Sequence, residues 1–101
     1  MRTIYSQEQI IKTKDIAKTI GDSSNILILY ELMNFGEKSF NELKRMTDIN
    51  AVTLTKKLNQ LKQDGLVDSH KSGIENHYFV TPKSDMFRPL IVDIKKIIIK
   101  S

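Results

Sequence analysis

Two short helices joined by a tight turn are predicted at the start of the Ser39–Thr81 segment, and this segment constrains the fold of the 101-residue chain most strongly. Ser39-Phe-Asn-Glu42 has the spacing of a capping box, which opens the first helix. The second helix begins after Asn50, a favoured N-cap residue, and Gly65 terminates it. The next element along the chain decides which kind of helix pair this is.

A two-stranded hairpin is predicted directly after the second helix. Residues 66–71 and 76–80 are strand-like, and the stretch 72–75 provides the turn. Two helices and a hairpin in this order form the plan of a winged helix-turn-helix, whose second helix is built to enter the major groove of DNA. We therefore expect an α+β fold, mostly α, with the helix-turn-helix at 39–64 and the wing hairpin at 66–80.

Two further helices are predicted before this unit. Ser6-Gln-Glu-Gln9 has capping-box spacing, which predicts an N-terminal helix over 7–20. An apolar helix comes next, with Ser23 or Ser24 as its cap and Gly36 as its end. Because it is apolar on more than one side, we expect this helix to be central.

A C-terminal helix is predicted over 82–100. Thr81-Pro82 can start it, because proline is favoured at the first helical position. Pro89 interrupts the pattern, so the helix either restarts near Ser84-Asp85 or kinks at Pro89. No linker or internal repeat divides residues 1–101, and we expect a single domain.

Composition narrows the classes of function. Sixteen basic against twelve acidic residues give a net charge of +4, which favours an anionic partner. The chain has no cysteine, which excludes disulfides and thiolate sites, and its two histidines, His70 and His77, are too few for a histidine-rich metal site. We recognise no acid–base pair and no phosphate-binding glycine loop, so we expect no enzyme, no cofactor and no metal. No signal peptide or membrane-spanning run is visible, and we expect a cytoplasmic protein.

The second helix of the helix-turn-helix has two distinct faces. Leu54, Leu58 and Leu61 fall within one narrow arc, which predicts the buried side. The opposite side carries Val52, Lys56, Asn59 and Gln63, flanked by Thr53 and Gln60, and it has no acidic residue before Asp64. A face that serves only solubility normally mixes both signs of charge. The acid-free face therefore favours DNA binding.

Candidate DNA-binding residues are inferred from this arrangement, because the N-terminal half of a recognition helix meets the base edges. Lysine can donate to guanine or phosphate, asparagine can pair with adenine, and valine or the threonine methyl can contact thymine. Side chains at the start of the preceding helix can donate to phosphate. The predicted set is Ser39, Asn41, Asn50, Val52, Thr53, Lys56, Lys57, Gln60, His70 and Lys71. A solvated face is an equally good interpretation for the neighbouring Lys44 and Arg45.

The predicted terminal helices carry apolar residues, and few other residues of the chain remain to cover them. The candidate dimer interface consists of Ile10, Ala17, Ile20, Ile91, Ile94 and Ile98. The alternative is that some of these side chains cover the domain's own core. Two such surfaces would exceed what a soluble monomer normally exposes, and we expect a twofold homodimer.

One sequence pattern runs through the helix-turn-helix and the wing: Gly36, Ser39-Phe40, Leu43, Ile49, Leu54-Thr55, Leu58, Leu61, Asp64-Gly65-Leu66-Val67, Tyr78 and Val80-Thr81. With this pattern, residues 24–98 resemble the HxlR-type branch of winged helix-turn-helix transcriptional regulators. MarR- and ArsR-type repressors are more distant relatives. The resemblance implies that the helix over 50–64 is the recognition helix and that paired terminal helices form a homodimer.

The chain departs from this family in three ways. It has no tryptophan at the entry to the helix before Gly36, no N-terminal cysteine for sensing oxidants, and no arginine in the wing. We expect a sequence-specific regulator that binds double-stranded DNA, a homodimeric repressor of near-palindromic operators. The sequence shows no effector. The rival hypothesis is a winged-helix module for protein–protein interaction, whose basic face is incidental.

Overall fold

The computed structural model describes residues 18, 19 and 21–91. The predicted N-terminal helix over 7–20 lies outside the described residues except at 18 and 19, which are helical. In chain order the elements are α1 (Ser23–Phe35), β1 (Lys38–Ser39), α2 (Phe40–Thr47), α3 (Ala51–Gln63), β2 (Val67–Ser72), β3 (Glu75–Val80) and a 3-10 helix (Pro82–Phe87). This arrangement confirms the predicted winged helix.

The helix starts are fixed by side chains that accept hydrogen bonds from free backbone N–H groups. Ser39 and Glu42 make both halves of the predicted capping box at α2. Asn50 caps α3 as predicted, with its Oδ1 2.9 Å from the backbone nitrogen of Thr53. The predicted cap of α1 was wrong, because Asp22 rather than Ser23 or Ser24 is the cap, whereas the predicted end at Gly36 is confirmed. An ionised carboxylate next to a helix N-terminus is also favoured by the helix dipole.

The turn between α2 and α3 is three residues long. Asp48 adopts the left-handed conformation, with φ +57°, and ends α2. Ile49 is half-buried and packs against the core, which holds the turn in place. The two helices are therefore joined as a helix-turn-helix requires.

The wing is a three-stranded antiparallel sheet in the order β1-β3-β2. Its hairpin closes through Gly73 and Ile74, and Gly73 takes the positive φ of +66° that such a tight turn needs. The third strand, β1, was not predicted as a strand. It has only two residues, too few for a visible alternation, and it is defined by its pairing with β3.

One hydrophobic core lies between α1, the helix-turn-helix and the base of the wing. It is formed by Ile28, Leu29, Leu32, Met33, Leu43, Leu54, Leu58, Leu61, Leu66, Val67 and Ile91. The side chains predicted for the inner face of α3 are all among them. Burial of this apolar surface is the main term that holds the helices together.

The chain after the wing does not start as one continuous α-helix. Residues 82–87 form a 3-10 helix, and residues 88–91 are α-helical, so Pro89 falls within a first helical turn. That position tolerates proline because its missing N–H would have no intrahelical partner. Residues 92–100 of the predicted helix lie outside the described residues. Within the described part, no helix is long and apolar enough to cross a membrane.

Candidate nucleic-acid interface

The outer face of α3 is open to solvent on the side opposite the core. The exposed side chains on this face are Val52, Thr55, Lys56, Asn59, Lys62 and Gln63. Val52 is 81% exposed although it is apolar, and it stands in the first turn of the helix. The face contains methyl groups, a hydroxyl, amides and ammonium groups, and no carboxylate. We call these six residues the α3 outer face.

Thr55 was missed as a candidate, because a helical wheel shows which arc is apolar but not which flank other elements cover. Thr53 and Gln60 were placed at the edge of the outer face, and both are half-buried in the structure. The covered flank is the one that carries Thr53, Lys57 and Gln60. Thr55 lies on the open flank, so it replaces Thr53 in the set of exposed residues.

The covered flank of α3 faces the chain segment that leads into α1. Lys57 makes an ion pair with Asp22, with 2.7 Å between Nζ and Oδ2, and only 19% of its side chain is exposed. This hydrogen bond is the main reason that the pKa of Asp22 is lowered, and burial partly opposes it. Gln60 lies 3.5 Å from both the Thr19 hydroxyl and the Asn25 amide. Lys57 and Gln60 were predicted to bind DNA, and the structure places both half-buried with partners inside the same chain.

Asn50 caps α3 and is also exposed to solvent. Its Oδ1 accepts the hydrogen bond from Thr53, and the residue is exposed at the N-terminus of α3. Its amide nitrogen can still donate. This end of α3 also carries the free N–H groups and the partial positive charge that attract phosphate.

The two residues at the start of α2 that were predicted to bind phosphate have different environments. Ser39 is only 3% exposed, and its hydroxyl oxygen accepts from the backbone nitrogen of Glu42 at 3.2 Å. Ser39 is thus a helix cap and not an exposed donor, which corrects the prediction. Asn41 is exposed, but its Nδ2 lies 3.4 Å from Oε1 of Glu75 on the wing. The backbone hydrogen bond from Ser39 lowers the pKa of Glu42.

A cavity of about 360 Å³ separates the helix-turn-helix from the tip of the wing. Asn41 of α2, Thr55 of α3 and Ile74 of the hairpin turn all line it. Ile74 is 95% exposed, so the tip of the wing presents an apolar side chain rather than a charge. The α3 outer face and the wing tip consequently border one concave surface.

His70 and His77 lie opposite each other on β2 and β3. Their rings stack with centroids 5.8 Å apart. Nε2 of His70 is 2.5 Å from Oε1 of Glu37, and this hydrogen bond raises the pKa of His70. Lys71, the next residue, is exposed. The wing therefore carries carboxylates beside its cationic groups, which the sequence did not indicate because Glu37 is 33 residues from His70.

Of the predicted dimer residues, only Ile91 belongs to the described part of the chain. It is 0% exposed and packs in the domain's own core, so assigning it to the dimer interface was wrong. The remaining members of that set, Ile10, Ala17, Ile20, Ile94 and Ile98, lie outside the described residues.

Residues 19–100 match the family described as HxlR-like helix-turn-helix. A relative by sequence is the cadmium resistance transcriptional regulatory protein CadC of Listeria innocua, 32% identical over 63 residues. The match covers 62% of this chain and 53% of that protein. The chain thus spans about half the length of the curated relatives it matches.

Solved structures share the fold at lower identity. HlyU from Vibrio cholerae superposes with a TM-score of 0.73 at 23% identity, covering 84% of this chain and 94% of HlyU. The winged helix-turn-helix domain of Mb0332 from Mycobacterium bovis, described as homodimeric and DNA-binding, gives 0.74 at 19% identity and covers 100% of this chain and 96% of that domain. Because its family match spans most of the sequence, the chain belongs to the HxlR-like helix-turn-helix family.

Proposed function

We propose that the protein is a sequence-specific regulator that binds double-stranded DNA through the α3 outer face. The observation that carries the proposal is that this face is exposed along α3 and has no carboxylate. A helix of 13 residues is long enough to lie in the major groove, which admits one α-helix. Family membership supports the same function.

Each exposed residue near the start of α3 has a chemical role in this proposal. Lys56 donates to guanine O6 and N7 or to a phosphate, and Asn50 donates to a base or phosphate through its amide nitrogen. Val52 and the methyl group of Thr55 contact the methyl group of thymine. These contacts are the ones that distinguish base pairs in the major groove, so they would give the protein its sequence preference.

We further propose that the regulator acts in the cytoplasm as a homodimeric repressor that occupies a near-palindromic operator. The homodimeric description of the Mycobacterium bovis neighbour supports a dimer. The candidate interface is Ile10, Ala17, Ile20, Ile94 and Ile98. A twofold dimer would set its recognition helices one helical turn of DNA apart, roughly 34 Å, in successive major grooves.

Binding to a mixed-sequence duplex at several salt concentrations tests the proposed function. Lys56 and Lys71 of both subunits would give four phosphate contacts, so a log–log plot of affinity against salt should slope by roughly −4. A steeper value of about −5 would be expected if Lys57 were also free. Absence of any gel shift at low salt would contradict DNA binding.

The rival function is a protein-interaction module, and the wing favours it. Ile74 stands exposed at the tip, and Glu37 and Glu75 add negative charge to a surface that would approach phosphate. Under this hypothesis the protein does not shift a duplex, whereas Ile74→Ser weakens association with a protein partner. The acid-free α3 outer face favours DNA over this alternative.

A further inference from the structure

Four titratable side chains meet on one side of the wing. Glu37 precedes β1, His70 lies on β2, and His77 and Glu75 lie on β3. We call these four residues the wing cluster. Since His70 and His77 are two residue pairs away from the pair that closes the hairpin, the cluster lies close to the wing tip.

The distances show that the two histidines share the two carboxylates. Oε1 of Glu37 is 2.5 Å from Nε2 of His70, and its Oε2 is 3.8 Å from Nδ1 of His77. Oε2 of Glu75 is 4.0 Å from Nε2 of His77. Each carboxylate therefore faces an imidazole that can carry or lose a proton near neutral pH.

Three other charged side chains lie near the cluster. Lys38 donates to the backbone oxygens of Phe35 and Glu37 rather than to a carboxylate, and Asp68, two residues before His70 on the same side of β2, adds a negative charge. Lys71 follows His70 along β2, but strand alternation turns its side chain to the other side of the sheet. Asn41, which is uncharged, is the remaining partner of Glu75. Among the described residues, no lysine or arginine pairs with Glu37 or Glu75, and the Phe79 ring that packs on His70 is neutral. The charge of the cluster thus depends on the protonation of its histidines.

We propose that protonation of His70 and His77 strengthens DNA binding by removing the net negative charge of the wing cluster. With both imidazoles neutral, two carboxylates give the cluster a charge of −2. Two imidazolium groups add +2 and bring the charge to zero. The inference rests on the proposed DNA-binding function, since it concerns how the wing meets phosphate.

Electrostatics gives the direction of the effect. A wing cluster with a charge of −2 repels the DNA backbone within the Debye length, about 10 Å at 0.1 M salt, and a neutral cluster does not. The complex therefore takes up protons, and affinity must rise as pH falls. The hydrogen bond that the His70 ring donates to the Glu37 carboxylate raises the pKa of His70 above its ordinary value of 6.5, which moves its titration toward neutral pH. Folding stability changes with pH in the same direction. The stabilisation from the His70–Glu37 hydrogen bond is fully present below pH 6.5 and is lost as pH rises through the folded-state pKa of His70.

The test measures the Kd of a mixed-sequence duplex by fluorescence anisotropy from about pH 5.5 to 8.0 at constant ionic strength, a range that spans histidine titration. We expect the wild-type protein to bind about three- to tenfold more tightly at pH 6 than at pH 8. Uptake of one proton on binding can change the affinity by at most about tenfold per pH unit. His70 and His77 are the only histidines of the chain, so the H70Q/H77Q double variant should show no such dependence.

Two further variants distinguish the cluster from general charge effects. Glu37→Gln removes the partner that raises the pKa of His70, so it should tighten binding at pH 8 and move the midpoint to lower pH. Lys71→Gln is the matched control on the same strand. It should weaken binding at every pH and leave the pH dependence intact, because its side chain lies on the other side of the sheet from the wing cluster.

Proton NMR of the histidine rings in the free wild-type protein supplies the titration midpoints, and the amide spectrum of each variant shows whether it is folded. Duplex binding that is independent of pH while the rings titrate would overturn the inference and leave the proposed function standing. An H70Q/H77Q variant that keeps the wild-type pH dependence would also overturn it. Absence of duplex binding at every pH would reject the proposed function and the inference together.

Discussion

At the scale of single residues, two neighbouring lysines of α3 have different environments. Lys56 is exposed on the α3 outer face, whereas Lys57 is held by Asp22. We expect Lys56→Gln to weaken duplex binding and to reduce the salt slope by roughly 2 for a dimer, since each lost phosphate contact removes about 0.9. Fluorescence anisotropy over a salt series measures both quantities.

Lys57→Gln is the matched control for this substitution. It removes the same charge one position further along the helix, but from a side chain that already has a partner. Its salt slope should stay near the wild-type value. If both variants lose affinity and slope equally, the distinction between the two lysines is wrong and only the overall charge of α3 matters.

Substitutions at Asn50 can separate its role as a helix cap from its proposed contact with DNA. Asn50→Ala loses the hydrogen bond to Thr53 and should cost about 1 kcal/mol, a fall in Tm of about 4–8 °C. Asn50→Asp keeps an equally good cap but brings a negative charge to the DNA. It should leave Tm unchanged and weaken duplex binding by about tenfold. Equal DNA affinity of Asn50→Asp and the wild type would remove Asn50 from the interface.

Some helix caps could be predicted from the sequence, whereas long-range ion pairs could not. The capping box at Ser39 and the cap at Asn50 depend on residues three positions apart, so spacing predicts them. The pairing of Lys57 with Asp22 joins residues 35 positions apart. Only the tertiary structure brings them together, which is why the sequence assigned Lys57 to DNA.

At the scale of elements, α3 is held in the core by one face, and we propose that it contacts DNA through the other. Leu54, Leu58 and Leu61 are buried in the core, as the wheel predicted. Leu58→Ala should lower the free energy of unfolding by about 2–5 kcal/mol, because it removes contacts and leaves a cavity. Urea denaturation measures this change.

Val52→Ala is the matched control on the opposite face of the same helix. Val52 is 81% exposed, so the substitution should change stability by less than about 0.5 kcal/mol. Its effect should appear instead as weaker discrimination between duplexes that contain and lack thymine. A large loss of stability in Val52→Ala would show that this face is covered in solution.

The order and approximate bounds of the elements within 23–80 were predictable, because apolar periodicity, caps and turn residues all agree there. The third strand of the wing and the charges facing its histidines were not. Both depend on the linker at Glu37 and Lys38 lying beside β3, a contact between distant parts of the chain. Which flank of α3 is open to solvent depends on such contacts in the same way.

At the scale of the whole molecule, the proposed operator geometry requires a dimer. Sedimentation at micromolar concentration should show a wild-type dimer, and Ile94→Asp and Ile98→Asp should each shift it toward monomer, because a buried unpaired charge disfavours an apolar interface. Ile91→Ala should instead lower stability without changing the sedimenting species, since Ile91 lies in the domain's own core. A wild-type monomer would exclude the two-half-site model.

Amide chemical-shift mapping during titration with a short duplex tests most directly whether the acid-free side of α3 meets DNA. We expect the largest shifts at Asn50, Val52, Thr55, Lys56 and Asn59, with small shifts along α1. Large shifts on α1 or on the 3-10 helix, with α3 unmoved, would contradict this expectation.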